Sequence, residues 1–470
     1  MAFTAKLKSM FGAQDMTSGK IMDCLIKFSV PLLIGNVAQQ LYNTVDSIVV
    51  GQYIGDTALA AVGTAGPILN LMLVLLMGIS TGASILTSQF FGAKDRKNLS
   101  RVVGSTIFLT VASGIVMMIV GYFASPWLIS LVAPPEDVAI GATAYLQVIF
   151  IGMIGCSMYN ILSGVLRGMG DSTNPLIYLV IACLLNVVLD ILFVATFNMG
   201  VAGVAWATII AQAVSGVLCL LRLRRMRDTI DLNAKTLHPH KALIMKLAGL
   251  GLPAGVTQVI FSLSAIVVQG LTNSLGTAMI AANVAIMRVD GFAMMPNFTF
   301  GTAATTFVGQ NIGAMKADRV RKGVKDMLKL ALGTSGVLVA CILLFGYNLI
   351  GLFTTTPDVI SLGERGLRWL ALGYVAFSVS QVLQGVMRGS GETAIPMWIS
   401  IITTVILRMP LAYLLAALTK SELWPNGHPD AIFSSLLVSW LAGMAMSVIA
   451  YRIGWWRKKL PEELQQAFHK

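Results

Sequence analysis

Charge is scarce in this chain. Charged residues fill 11% of the 470 positions while hydrophobic residues fill 56%, against roughly a quarter charged in an ordinary soluble domain. That shortage excludes a water-exposed globular fold and points to an integral membrane protein. Histidine is scarcer still: His238, His240, His428 and His469 all fall in polar connections or the tail, leaving none for a proton relay inside the bilayer. The 5 cysteines, Cys24, Cys156, Cys183, Cys219 and Cys341, lie in or beside apolar runs without metal-like spacing. They are expected to be small packing residues, with no disulfide framework and no metal site. No GxxxxGK loop occurs, which argues against an ATP-driven pump. Nor is a cleavable leader expected, because Asn36, Gln39, Gln40, Asn43 and Asp46 interrupt the first apolar run and no small-residue cleavage site follows it.

What is present is one long apolar run after another. About twelve stretches reach the roughly 20 residues needed to cross a bilayer: 24–49, 59–88, 102–123, 138–165, 175–197, 201–221, 247–271, 279–309, 327–349, 366–387, 396–418 and 432–456. The chain also says nearly the same thing twice. Gln89-Phe90-Phe91-Gly92-Ala93 returns as Gln310-Asn311-Ile312-Gly313-Ala314, and Leu166-Arg167-Gly168-Met169-Gly170-Asp171 returns as Met387-Arg388-Gly389-Ser390-Gly391-Glu392, both at an offset of 221 residues. Pro31 and Pro253 keep almost the same offset. A period of half the chain is too long for a solenoid unit and predicts a duplicated bundle, the common plan of transporters. The expected fold is therefore all-α, with twelve transmembrane helices in two pseudo-symmetric six-helix bundles. The expected domains are an N-terminal lobe over 1–225, a linker over 226–245, a C-terminal lobe over 246–456 and a tail over 457–470.

Net charge is +12, but its distribution follows topology rather than nucleic-acid binding. Apart from Arg365, Arg368 and Lys420 on one side and the in-span Arg288 and Arg408, every Lys and Arg falls on the side that carries both termini. The positive-inside rule makes that side cytoplasmic, so both halves have the same orientation in a multi-pass plasma-membrane (cell inner membrane) protein.

An ionisable side chain near the bilayer centre costs at least about 2.5–3.5 kcal/mol and demands a partner, water or a function. Five stand well inside the spans: Asp46, Asp190, Arg288, Asp290 and Arg408. Asn186 lies four residues before Asp190, on the same helical face, and Asp46 follows Gln39, Tyr42 and Asn43. The repeat copies carry Val268 for Asp46 and Leu411 for Asp190, so ion coupling is expected in the first half. A carboxylate with neighbouring amide and hydroxyl oxygens suits a proton or a sodium ion. In the second half, Arg288 and Asp290 are two apart and cannot face each other, which makes Arg408 a candidate partner for Asp290. A structural salt-bridge network of the three is the first expectation, with substrate contact the alternative. Pro31 is a candidate hinge, since proline frees a backbone carbonyl and kinks a helix. The 25 methionines suit a cavity that adapts to varied apolar shapes.

Taken together, the Val45-Asp46 segment, the paired Arg-Gly turns, the Gln-x-x-Gly-Ala turns and Asn186-x-x-x-Asp190 resemble the multidrug and toxic compound extrusion (MATE) family, essentially end to end. The resemblance implies two six-helix lobes and a secondary active antiporter, not an enzyme. It also implies export of small organic, often cationic, or other amphipathic compounds in exchange for H+ or Na+, with no further cofactor. Membrane lipids are the surrounding partners, nucleic acid is not one, and a monomer is expected. By the same resemblance the ion-coupling positions are Asp46, Asn186, Asp190 and Thr208, in a network with Gln39, Tyr145 and Asn160. Ser163 stands where such relatives carry a further Asn, and Pro31 is the hinge. The sodium-coupled branch has acids in its seventh and tenth helices, where this chain offers Phe261 and Phe377-Ser378. Two rivals remain. A lipid-linked saccharide flippase of the same superfamily would want a basic cluster in its cleft, and an intramembrane aspartyl protease is suggested only by the short Gly168-x-Gly170-Asp171 match.

Overall fold

The helices follow from the solvent. Inside a bilayer each backbone N–H needs an acceptor within its own segment, so long apolar runs resolve as helices. The computed structural model describes residues 13–132, 134–233, 236–422 and 424–469, and within these the side chains at 43, 45–48, 56 and 469 are outside the described set. Every regular element among the described residues is helical. The chain divides into two compact units, Met1–Met16 with Ile26–Gly255, and Thr17–Leu25 with Val256–Lys470.

The first unit contains α1 (Ile21–Tyr53, from Ile26), α2 (Asp56–Gly92), α3 (Arg96–Val132), α4 (Glu136–Ile151), α5 (Met153–Gly168), α6 (Thr173–Ile191) and α7 (Gly200–Arg225). Its boundary falls within α8 (Lys241–Ser274), at Gly255. The polar stretch 226–245 packs on this unit: Asp231 donates its N–H to Ser100 Oγ at 2.9 Å and pairs with Arg96 at 2.6 Å. The second unit contains the rest of α8, then α9 (Thr277–Gly313), α10 (Ala317–Gly351), α11 (Pro357–Gly389), α12 (Ala394–Ser400), α13 (Met409–Leu418), α14 (Asp430–Ile453) and α15 (Glu462–His469). Residues 455–469 fold back on it, with Trp456 fully buried against Phe468.

Eleven described helices, counting a span with its local irregularity as one, are long and apolar enough to cross a bilayer, and the pair α4–α5 makes a twelfth span. That pair corresponds to the single run expected at 138–165, which is bent by 57° at Gly152. The bend presses backbone against α7: a Cβ at Gly152 would meet Ile209 Cβ at 2.2 Å. The fifth span of each half contains a π-helical stretch, Leu192–Thr196 directly after α6 and Ile401–Arg408 between α12 and α13. All five cysteines are free thiols.

The duplication seen in sequence is repeated in detail. After α5, Asp171 N–H bonds Leu166 O and Gly170 N–H bonds Arg167 O. After α11, Glu392 N–H bonds Met387 O and Gly391 N–H bonds Arg388 O, all at 2.9 Å. This is the Schellman closure, which requires a left-handed residue, and Gly170 (φ 82) and Gly391 (φ 90) supply it. Small residues set matching helix crossings. Gly164 and Gly168 of α5 lie on Ser80 and Ser84 of α2, and Gly385 and Gly389 of α11 lie on Gly301 and Thr305 of α9. Such stripes let backbones approach where lipid gives no hydrophobic drive to associate.

Candidate functional site

In the first unit, α6 and α7 pack side by side and bring three of the expected coupling residues together. Asn186 and Asp190 are fully buried, one turn apart on α6. With its amide nitrogen toward the carboxylate, Asn186 donates to Asp190 Oδ2 at 3.0 Å while its oxygen accepts from Thr208 N–H on α7 at 3.3 Å. The assignment of the amide follows the hydrogen bonds, as it must for Asn. The Leu192–Thr196 π-helical stretch begins two residues past Asp190, and such stretches recur at functional sites because they re-aim neighbouring side chains. The arrangement is a dry carboxylate held by an amide, chemistry able to exchange a proton or join a cation shell.

The other expected first-unit positions have different surroundings. Asp46 lies on α1, but its side chain is outside the described residues. Pro31 sits inside α1 and Gln39 is half-buried on the same helix. Tyr145 is buried on α4 within the apolar cluster that includes Leu146 and Ile149. Asn160 directs its side-chain amide at its own helix, donating to Cys156 O at 2.9 Å, and its backbone carbonyl accepts from Ser80 Oγ at 2.8 Å and Ser163 Oγ at 3.0 Å.

The second unit holds a cavity of about 540 Å³ lined from α8, α9, α11, Ile401–Arg408 and α14. Asp290 and Arg408 both line it. Sequence offered Arg408 as partner for Asp290, yet the hydrogen bond to Asp290 Oδ1 comes from Tyr374 Oη of α11 at 2.8 Å. Arg408 Nη1 instead reaches Ser264 Oγ of α8 at 3.5 Å. Arg288 is exposed and not among the lining residues, because two helical positions rotate it roughly 200° away from Asp290. The three therefore do not form one ion-pair network: two face a common cavity and the third points elsewhere. Tyr374 was missed in sequence, where a tyrosine in an apolar run carries no distinguishing signal, and the methionine content suggested a cavity without placing it in the second unit.

The Gly168-x-Gly170-Asp171 match resolves as a helix cap. Asp171 accepts from Asn174 N–H at 3.1 Å and Asn174 Nδ2 at 2.8 Å, and pairs with Arg222 of α7 at 3.1 Å. A carboxylate engaged in this way orders the turn between two helices.

A family model described as MatE matches residues 31–192 and again 253–414, the two halves expected from the repeat. The chain is 30% identical over 448 residues to the probable multidrug resistance protein YpnP of Bacillus subtilis (strain 168), covering 95% of this chain and 98% of the relative. It is 27% identical to the probable multidrug resistance protein NorM of Thermotoga maritima, covering 88% and 90%. Its fold matches a MATE crystal structure in the bent conformation with a TM-score of 0.87 at 23% identity, over 97% of this chain and 98% of that one. With the model matched in both halves and a 30% identical relative aligned almost end to end, the chain belongs to the MatE (multidrug and toxic compound extrusion) family of multi-pass membrane transporters.

Proposed function

We propose that this transporter exports small organic, chiefly cationic, compounds by exchange for protons, and that the exchange site is the buried Asn186–Asp190–Thr208 cluster with Asp46 of α1. The observation that carries this reading is a fully buried carboxylate on α6 held by Asn186. A charge in such a place is expensive, so it is retained for a task. With Asp190 ionised, the first unit attracts a cation; protonation removes that charge and releases the substrate. Bending of α1 at Pro31 communicates the change. Sodium is the alternative ion, since the same oxygens would ligate it. Both termini face the cytoplasm in this scheme, on the charge asymmetry of the loops.

The experiment is uptake of a labelled cationic dye into proteoliposomes, with pH and sodium gradients imposed separately. Movement driven by the pH gradient alone is expected for the wild type, and loss of that response is expected in Asp190→Asn and Asp46→Asn. A response to sodium alone would replace the ion. An unchanged response in both variants would remove the site.

A further inference from the structure

The second-unit cavity has no part in proton exchange as proposed above, yet it has the attributes of a ligand site. Its volume of about 540 Å³ lies within the roughly 300–1,000 Å³ of small-molecule pockets. One wall is aromatic. Phe298 meets Phe377 edge-on at 5.7 Å between ring centres, and Trp440 lies 5.5 Å from Phe377. Met287, Met294 and Met295 add polarizable, conformationally adaptable surface.

Against this apolar lining stand two opposite charges. Asp290 is oriented by Tyr374, which occupies one of about four lone-pair positions on a carboxylate. Arg408 is less well provided for. Its Nε is buried with no hydrogen-bond partner, and Nη1 has only the long contact to Ser264. A buried, unsatisfied guanidinium donor is costly, and its planar fork matches the paired oxygens of a carboxylate. Arg408 also closes the Ile401–Arg408 π-helical stretch, a local irregularity of the kind that re-aims side chains at functional sites.

We propose that this cavity binds amphipathic zwitterions: an aromatic or apolar body against Phe298, Phe377 and Trp440, a carboxylate on the Arg408 fork and an ammonium toward Asp290. Charge balance selects this class. The cavity carries one positive and one negative group, so a net-neutral zwitterion leaves no uncompensated charge out of water, whereas a monocation or a monoanion does. The preference differs from the cationic one proposed for the first unit, and the two sites recognise different parts of the transporter's substrate range.

Three fluorescent probes of nearly equal bulk separate the possibilities: Nα-dansyl-lysine, a zwitterion; its methyl ester, a monocation; and Nα-dansyl-norleucine, a monoanion. Binding to the purified full-length protein in detergent, without any ion gradient, is read as energy transfer from tryptophan to dansyl. Dansyl-lysine is expected to bind roughly tenfold or more tighter than its ester, with the transfer signal reduced in Trp440→Phe. Arg408→Met should erase the preference for the acid, and Arg408→Lys should restore part of it. Asp290→Asn should turn the preference toward dansyl-norleucine. Equal binding of acid and ester by the wild type, or an unchanged ranking in Asp290→Asn, overturns the proposal even if Arg408→Met does not fold. The same titrations in Asp190→Asn, where the first unit no longer attracts the cationic ester, are expected to show an advantage of acid over ester at least as large as in the wild type and still dependent on Arg408, so failure here and failure of the exchange site in the first unit are separate results.

Discussion

Removing the carboxylate at the two copies of the repeated turn should not cost the same. Asp171 is fully buried and accepts from Asn174 N–H and Nδ2 as well as from Arg222, whose own side chain is only 25% exposed. Breaking a buried pair costs roughly 3–5 kcal/mol when the stranded partner stays dry. Arg222, partly wetted at the end of the bundle, lowers that to about 2–4 kcal/mol for Asp171→Ala. Glu392 makes the matching cap, accepting from Ala394 N–H at 2.9 Å and Ile395 N–H at 3.3 Å, but its ionic partner Lys459 is 55% exposed. An exposed lysine contributes about 0–1 kcal/mol and the cap about 1 kcal/mol, so Glu392→Ala should cost about 1–2 kcal/mol. The assay is the thermal unfolding midpoint of detergent-purified variants. The order expected is Asp171→Ala and Arg222→Met well below Glu392→Ala, with Lys459→Met close to wild type. If Lys459→Met destabilises as much as Arg222→Met, burial does not set the cost of losing the pair.

Gly164→Val and Gly385→Val each put side-chain atoms where a Cβ already meets Ser80 Oγ at 2.2 Å or Gly301 O at 2.3 Å. Both are expected to abolish monodisperse protein on size exclusion, while valine at Gly249, with nothing within 4 Å, is tolerated. Asp95 caps α3 by accepting from Asn98 N–H at 3.0 Å, and that hydrogen bond holds its carboxylate below the ordinary range. A lowered folded value means stabilisation present above about pH 4 and lost as pH falls through it. Asp95→Ala should therefore cost about 0.5–1 kcal/mol at neutral pH, with the difference from wild type closing below about pH 4 in unfolding scans. Thr208→Val keeps the backbone N–H that Asn186 accepts from and removes only the hydroxyl. It should weaken gradient-driven dye uptake less than Asp190→Asn does, and equal losses would show that the hydroxyl itself is part of the exchange.

Much of the fold was legible because bilayer physics leaves few choices. Apolar runs of sufficient length become helices, and the Gln-x-x-Gly-Ala and Arg-Gly-x-Gly turns recur because each closes a helix with the same backbone hydrogen bonds. The bend at Gly152 was not legible, since it goes with a close approach to Ile209 on another helix, a tertiary contact that local sequence does not encode. The pairing of Asn186 with Asp190 could be read from i, i+4 spacing alone, and Thr208 joined them only through family resemblance. The second-unit arrangement was only partly legible, since Asp290 and Arg408 do line one cavity. Opposite charges in sequence suggest each other as partners, but Tyr374, neutral and unremarkable in an apolar run, takes the position beside Asp290. That leaves Arg408 facing a cavity no local pattern encodes.

Exchange of ion for substrate is proposed to reside in the first half, at Asp190. Its most direct test is the number of protons released when a cationic substrate is added to detergent-purified protein in weak buffer near pH 7. The wild type is expected to release protons in proportion to substrate bound, and Asp190→Asn is expected to bind with a clearly smaller release. Equal proton release by the two proteins would place the exchange elsewhere and contradict the account.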